Sequence, residues 1–450
     1  MPVSNLLDRT PLPIPRADPL APLEHAISAA MDAIAAVPAG RLVSLTVDLP
    51  NGLPSIHPGG DCRWLSPDAD CALYAAGEAF RIALADPDAF EAHRTAWTAL
   101  GAVDASPLAF WTMPPALDPA LPELWVPRVL LRRGQGRTTL TVSLLRGAVP
   151  VPVAALRWLE DARTLLDGGT EGGFPAIAAR IPGSDLADWS DRVCRTTAAI
   201  AEGRLAKAVL ARKLTVRLAG RADARALADR LATLHPSCAT FCLPHGAGHV
   251  VAASPERLAV KRGSRISSAA LAGTTRRHAS PVADEKAATD LLASPKEREE
   301  HAIVADAIAE VLTEVCETVE RPDAPAIMRL RQVQHLWTEI SGHLKPGTGF
   351  LDVASRLHPT PAVLGAPRKA ALDWLGEMQE NRDGLYTGVA GWIDRNGDGE
   401  AAMVLRSAYV EDRTAVLWAG AGIVAGSDPG REWTETDLKL STLLNLFAEP

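Results

Sequence analysis

The chain lacks most of what would tie it to a membrane, a nucleic acid or a metal-thiolate centre. No run of about 18 apolar residues occurs, so no membrane-spanning helix is expected. No Lys/Arg block and no basic stretch interleaved with aromatics is present, and the formal net charge is −8, which argues against a polyanionic partner. The six cysteines, Cys62, Cys71, Cys194, Cys238, Cys242 and Cys316, form no C-x-x-C pair and have no clustered histidines beside them. They read as free thiols of a reducing cytoplasm, and a structural zinc site is not expected. The amino terminus has no charged segment leading into an apolar one, so no secretory signal is expected. Repeats and low-complexity blocks are absent as well. What remains is 450 residues of which 47% are hydrophobic, an ordinary globular composition. By length alone this is three domains, or one large α/β body with a smaller amino-terminal part.

Along the chain, six prolines between Pro2 and Pro22 predict an irregular or extended arm over residues 1–25. A helix is expected over 23–37 and a strand over 43–49. Asp86 as N-cap and Pro87 at the first turn predict a helix over 87–100. The pattern weakens between 147 and 182, so 151–184 is set as a soft boundary between an amino-terminal part, 1–150, and a second region, 185–447. A helix over 185–202 closed by Gly203, a strand over 206–216, a helix over 222–234 and a long helix over 295–319 follow. Strands and helices are interspersed throughout, so the expected class is α/β, or mixed α+β.

Two helices carry an unusual feature. After the turn residues Ser427, Asp428, Pro429 and Gly430, the residues Glu432, Glu435, Lys439, Leu443 and Leu446 follow in steps of three and four. All five therefore share one helix face, with charges heading an apolar stripe. The long helix repeats this, with Glu297 and Glu300 ahead of Val304, Ala307, Ile308 and Val311. Charges rarely enter an interior unpartnered. For either helix alone, the bland explanation is that glutamates favour helix N-termini. Two such pairs together have the chemistry to ligate a hard divalent cation, since magnesium accepts one or two carboxylates and keeps water or substrate oxygens.

Other candidates are individually weaker. Lys207 shares a strand face with Val209 and Ala211 and sits among alanines. Enclosing an amine disfavours its charged form and makes a usable base, whereas a strand-end lysine usually snorkels to water. Glu256, after Ser254-Pro255, reads as a turn carboxylate, and His335 as a hydrogen-bonded core histidine. Gly273 ends a strand where only a small residue allows close backbone approach. Residues 394–399 open like a calcium loop, but position twelve is Leu405 rather than glutamate, and flanking strand-like runs make this a hairpin turn. AGAGIV (419–424) has neither a dinucleotide fingerprint nor a Walker lysine.

Taken in order, KAVLAR, SPERL, LAGT, SPKEREEH, HLWTEISG, HPTPAVLGAP, LYTGVAGW, LRSA, AGAGIV and the E-x-x-E-T-x-x-K helix resemble the chorismate-utilising enzyme family. The likeness covers about 185–447; residues 1–150 match only loosely. It implies large β-sheets packed together and covered by helices, as in anthranilate synthase component I. Among family activities it implies chorismate-to-isochorismate conversion of the kind that feeds catecholate siderophores. Anthranilate synthases lack a lysine at Lys207, aminodeoxychorismate synthases carry lysine at Ala272, and salicylate synthases have threonine at Ala362. The resemblance also implies roles. Lys207 activates water and Glu256 protonates the leaving oxygen. Glu300 and Glu435, supported by Glu297 and Glu432, hold magnesium (Mg2+). Arg406, Tyr386 and the Gly420 amide bind the enolpyruvyl carboxylate, and Lys439 neutralises a carboxylate near the metal. Gly273, Thr274, His335, Ala362 and Val363 line the pocket. A monomer binding chorismate is implied. Three positions depart from the family pattern: Ala211 stands for serine, Arg382-Asp383-Gly384 is inverted, and His278 stands for glycine.

Overall fold

The computed structural model describes residues 18–49, 58–67, 71–86, 88–101, 107–134, 136–168 and 174–447. The prolines of 1–17, and Pro87, lie outside these. The first helix, Ala21–Ala36, starts with proline in its first turn. Asp185 caps Leu186–Ala201 by accepting from the Asp188 amide, and Asp223 caps Ala224–Leu234 through the Arg225 and Ala226 amides. Ser294 caps the long helix Pro295–Val315.

Three stretches differ from the sequence reading. The long helix stops at Val315, and 316–319 instead enter the strand Cys316–Glu320, paired with Val333–Leu344. The β-branched Thr318 and Val319 suit a strand, and a sheet partner is available. Within 87–100 only Glu91–Thr95 is helical; Thr98–Gly101 lies parallel to Leu42–Asp48, whose ladder outweighs local helix propensity. Where the pattern weakens after 147, a helix stands at Val151–Asp167. It buries Val151, Ala154, Trp158, Ala162 and Leu165, a helical stripe diluted in sequence by its alanines and by Pro152.

Among the described residues, the only strand pairing that is not antiparallel is the one between Leu42–Asp48 and Thr98–Gly101. The pairings fork at Glu123–Gly134. One branch runs through Cys71–Ala83, Cys62–Ser66, Ala239–His245, Gly248–Ser254, Ser407–Glu411 and Thr414–Ile423 to Lys207–Leu218. The other runs through Leu108–Met113, Val389–Asp394, Gly399–Met403, Arg257–Arg262 and Arg265–Arg276 to Val333–Leu344. Strands of 1–150 thus pair directly with strands of 185–447. The hairpin Val389–Asp394/Gly399–Met403 closes at the calcium-like turn, as expected.

Helices cover the branches by apolar faces. Val304, Ile308 and Leu312 of the long helix pack with Leu258, Ile266 and Ile340 of the second branch. Leu440, Leu443 and Leu446 of the closing helix, Pro429–Phe447, pack with Val216 and Leu417 of the first. The fork therefore carries two helices, each with a glutamate pair in its first two turns, to one place. All six cysteines are free. No helix of the described residues is long and apolar enough to cross a membrane.

Candidate active site

Alternation along Lys207–Leu218 decides where Lys207 points. Ala208 and Leu210 pack with Trp189, Leu364 and Leu375, so Lys207 and Val209 face the other way, into a cleft that both line. Lys207 is 1% exposed, and its Nζ lies 2.9 Å from Glu300 Oε1. The contact depends on Gly422 of the neighbouring strand. A Cβ there would fall on Glu300 Oε1 and lie 2.8 Å from Lys207 Cε.

Glu256 sits on the turn that joins the two branches. Its carbonyl accepts from the Met403 amide at 3.0 Å, and its carboxylate accepts from Thr360 Oγ1 at 3.4 Å. It is buried, not a solvent-facing turn residue. Burial pushes its carboxyl up to about 7, outweighing the opposing pull of Lys207 and the Thr360 bond. Glu300 goes the other way. Burial would raise it, but Lys207 in contact, with Lys439 and Lys296 nearby, holds it below the usual carboxylate range.

The second branch supplies the opposite wall through a β-bulge between Ala272 and Thr274. Gly273 occupies φ +78°, and a side chain there would press on the Glu297 carbonyl at 3.2 Å. The bulge aims the Thr274 amide at Glu297 Oε2, 3.1 Å away. Thr274 Oγ1 lies 3.0 Å from His335 Nδ1, and His335 Nε2 lies 3.0 Å from an Arg406 Nη. Arginine only donates, so Nε2 accepts, and the ring proton on Nδ1 points to Thr274. Burial, then the Arg406 charge, hold the imidazole well below its ordinary pKa, and it is neutral. His335 is thus a hydrogen-bonded buried histidine, but one on the cleft wall.

Tyr386 stacks on Trp418, with centroids 5.7 Å apart and planes 12° from parallel. Burial raises its phenol pKa, so the O–H stays a donor. The Tyr386 hydroxyl lies over Gly420, where a Cβ would come within 2.9 Å. Gly420 stands opposite Ala211 in the ladder. The Ala211 amide, however, donates to Glu380 at 2.9 Å, and the Gly420 carbonyl accepts from Lys439 Nζ at 2.8 Å. The two residues are therefore a non-hydrogen-bonded pair, and the Gly420 amide turns away from the Lys207 strand. Ala362 and Val363 line the same cleft. Buried Arg382 fastens them, donating to the Val363 carbonyl at 2.7 Å and the Val209 carbonyl at 2.6 Å. The inverted Arg-Asp-Gly order thus places its arginine as a staple between two cleft walls.

Of the four glutamates on the two helices, Glu300 and Glu435 line the cleft; Glu297 and Glu432 do not. Lys439 bonds Glu435 at 2.7 Å, and Lys296 approaches Glu432 at 3.3 Å and Glu297 at 3.6 Å. Burial and the neighbouring Glu435 charge raise Glu432 to about 7, and burial with Glu300 raises Glu297. Such repulsion is what a bound cation relieves, and the donors are all hard carboxylate oxygens. Among the described residues no three His, Cys, Asp or Glu side chains form a ready metal cage. Magnesium needs only one or two carboxylates when water and substrate supply the rest, so the set fits an open magnesium site.

The sequence reading missed Thr360, Gly422, Trp418, Arg382 and Lys296. Four lie in or beside stretches it had singled out: Thr360 in HPTPAV, Gly422 in AGAGIV, Trp418 just before it and Lys296 in SPKEREEH. Arg382 had only its inverted order as a signal.

This cleft and fold define a class. The profile of the chorismate binding enzyme family matches residues 120–448, and the chain belongs to that family. It is 38% identical over 260 residues to isochorismate synthase EntC of Escherichia coli (strain K12), covering 58% of this chain and 66% of that one. It is 36% identical over 290 residues to the salicylate biosynthesis isochorismate synthase of Pseudomonas aeruginosa, covering 64% and 60%. These matches span less than two thirds of either relative's length. The structure of MenF, the menaquinone-specific isochorismate synthase from Escherichia coli, aligns with a TM-score of 0.79 at 27% identity, covering 94% of this chain and 99% of that one.

Proposed function

We propose that the chain is an isochorismate synthase that isomerises chorismate, adding water at C2 and losing the C4 hydroxyl. One observation carries this reading: an enclosed lysine and a buried carboxyl that keeps its proton to about pH 7 line the same cleft. Lys207 acts as the base that takes a proton from the attacking water. Glu256 gives its proton to the departing C4 oxygen, which leaves as water. One proton is taken and one given, so the sum is an isomerisation.

The other residues bind and orient. Arg406, fixed by neutral His335, and the Tyr386 hydroxyl with the Gly420 amide hold the enolpyruvyl carboxylate. Lys439 offsets carboxylate charge near the two helices. Gly273, Thr274, Ala362 and Val363 shape the walls. Glu300 and Glu435, with Glu297 and Glu432 in support, would hold magnesium, which when bound neutralises the ring carboxylate and withdraws electron density.

The pathway reading is supply of catecholate siderophore synthesis, supported by the closing WTETDLKLSTLLNLF helix; a monomer in the cytoplasm is the form the family resemblance implies. The alignment with a menaquinone-specific enzyme favours a second reading, menaquinone supply. Siderophore loss without quinone loss on gene deletion separates the two.

The activity test is product analysis with chorismate and Mg2+. Isochorismate is expected; salicylate and pyruvate as main products would replace this reading with salicylate synthase. Lys207→Ala should abolish turnover while chorismate binding, read by fluorescence titration, persists. Wild-type turnover in that variant would remove Lys207 as the base.

A further inference from the structure

Three lysines partner the four glutamates that head the two helices, and they are not equivalent. Lys207 is 1% exposed and lies against Glu300. Lys439 bonds Glu435 and is also tied to the Gly420 carbonyl at 2.8 Å. Lys296 is 37% exposed, pairs among the described residues with the carboxylates of Glu432 and Glu297, and does not line the cleft. It stands in the first turn of the long helix, so its flexible stem can swing to water without moving backbone. Its two partners come from different helices, so its ammonium bridges the first turns of both.

We propose that Lys296 is a resident counter-cation that competes with the divalent metal for Glu297 and Glu432, and so sets the metal affinity of the site. The inference rests on the magnesium reading above. With Lys296 in place and all four carboxyls ionised, as they are when they hold a cation, three ammonium groups face four carboxylates and one formal negative charge is left over. Adding a divalent cation beside all three would overshoot to a positive surplus. Exchanging Lys296 for the cation instead brings the cluster to neutrality. Lys207 and Lys439 are pinned by enclosure and by a backbone carbonyl, which leaves Lys296 as the group that yields. The ammonium also holds the two helix ends together while no metal is present. Mutual repulsion of the carboxylates does not then spread them.

The test is Mg2+ binding to the substrate-free protein by isothermal titration calorimetry, with thermal melts in parallel. Lys296→Met should bind Mg2+ roughly three- to tenfold more tightly than wild type, the scale of losing two partly exposed ion-pair contacts. Its metal-free melting temperature should fall, and the rise on adding Mg2+ should exceed that of wild type. Lys296→Arg, which keeps the charge, should bind Mg2+ as wild type does or more weakly. Mg2+ affinity unchanged or reduced in Lys296→Met, with wild type binding the metal, overturns the counter-cation role and leaves the magnesium site standing. A rise in chorismate KM alone, with metal affinity unmoved, would make Lys296 a substrate anchor instead. No Mg2+ binding by either protein, with or without chorismate, removes the metal reading itself.

Discussion

Glu256 and Glu300 are both glutamates buried at one cleft, both near Lys207, and they are driven in opposite directions. Glu256 sits on a turn between strands with one hydroxyl donor, and burial keeps its proton on to about pH 7. Glu300 sits in a helix with an ammonium at 2.9 Å, and that contact holds it ionised. Identical side chains thus become an acid and an anion through the charges placed around them, Lys207 in contact with Glu300 above all. The environment that makes one a proton donor would spoil the other as a ligand.

Breaking the acid should have the largest effect. Glu256→Gln removes the proton but keeps the shape, and kcat should fall by about 10^2–10^4, the usual contribution of a general acid. Near-normal kcat would reassign the donor. Breaking the anion is the next step down. Glu300→Gln should weaken the apparent Mg2+ affinity by roughly 10- to 100-fold. An unchanged metal titration would take Glu300 out of the ligand set.

The contact that separates the two carboxyls can also be attacked sterically. Gly422→Ala places a methyl on Glu300 Oε1. It should cost about 1–3 kcal/mol of stability, as overpacking does, and lower kcat more than it raises KM. Equal melting temperatures for the two proteins would show that the helix end moves freely.

The smallest effect concerns pH. The acid role of Glu256 needs the protonated form, so kcat/KM should decline as pH rises through about 7. The Thr360 bond favours the carboxylate, so removing it raises the pKa further. Thr360→Val should therefore move the alkaline limb upward, by less than about one pH unit at this 3.4 Å separation. A downward shift would mean that the bond favours the acid.

Much of this was legible in the residues. Three- and four-residue spacing put Glu297 with Glu300, and Glu432 with Glu435, on the buried faces of their helices, and strand alternation put Lys207 on one face with Val209 and Ala211. Ordered motifs pointed to the family and to its pocket residues. Local reading failed where a partner decided the outcome. Residues 98–101 are a strand because Leu42–Asp48 lies beside them, and 316–319 leave the helix because Val333–Leu344 offers an edge. The stripe of Val151–Asp167 is too dilute to stand out without its core.

Periodicity and capping are properties of neighbours in the chain, so the sequence by itself determined which helices carry acidic heads and which face each candidate shows. Only the tertiary structure decided what those faces meet. Sheet pairing forks at Glu123–Gly134 and brings Lys207, Glu256 and both helix ends to one cleft across long separations in the chain. Proton affinity depends on burial and on charges a few ångströms away. The division of Glu256 from Glu300, the tautomer of His335 and the bridging place of Lys296 therefore existed only once those distances were set.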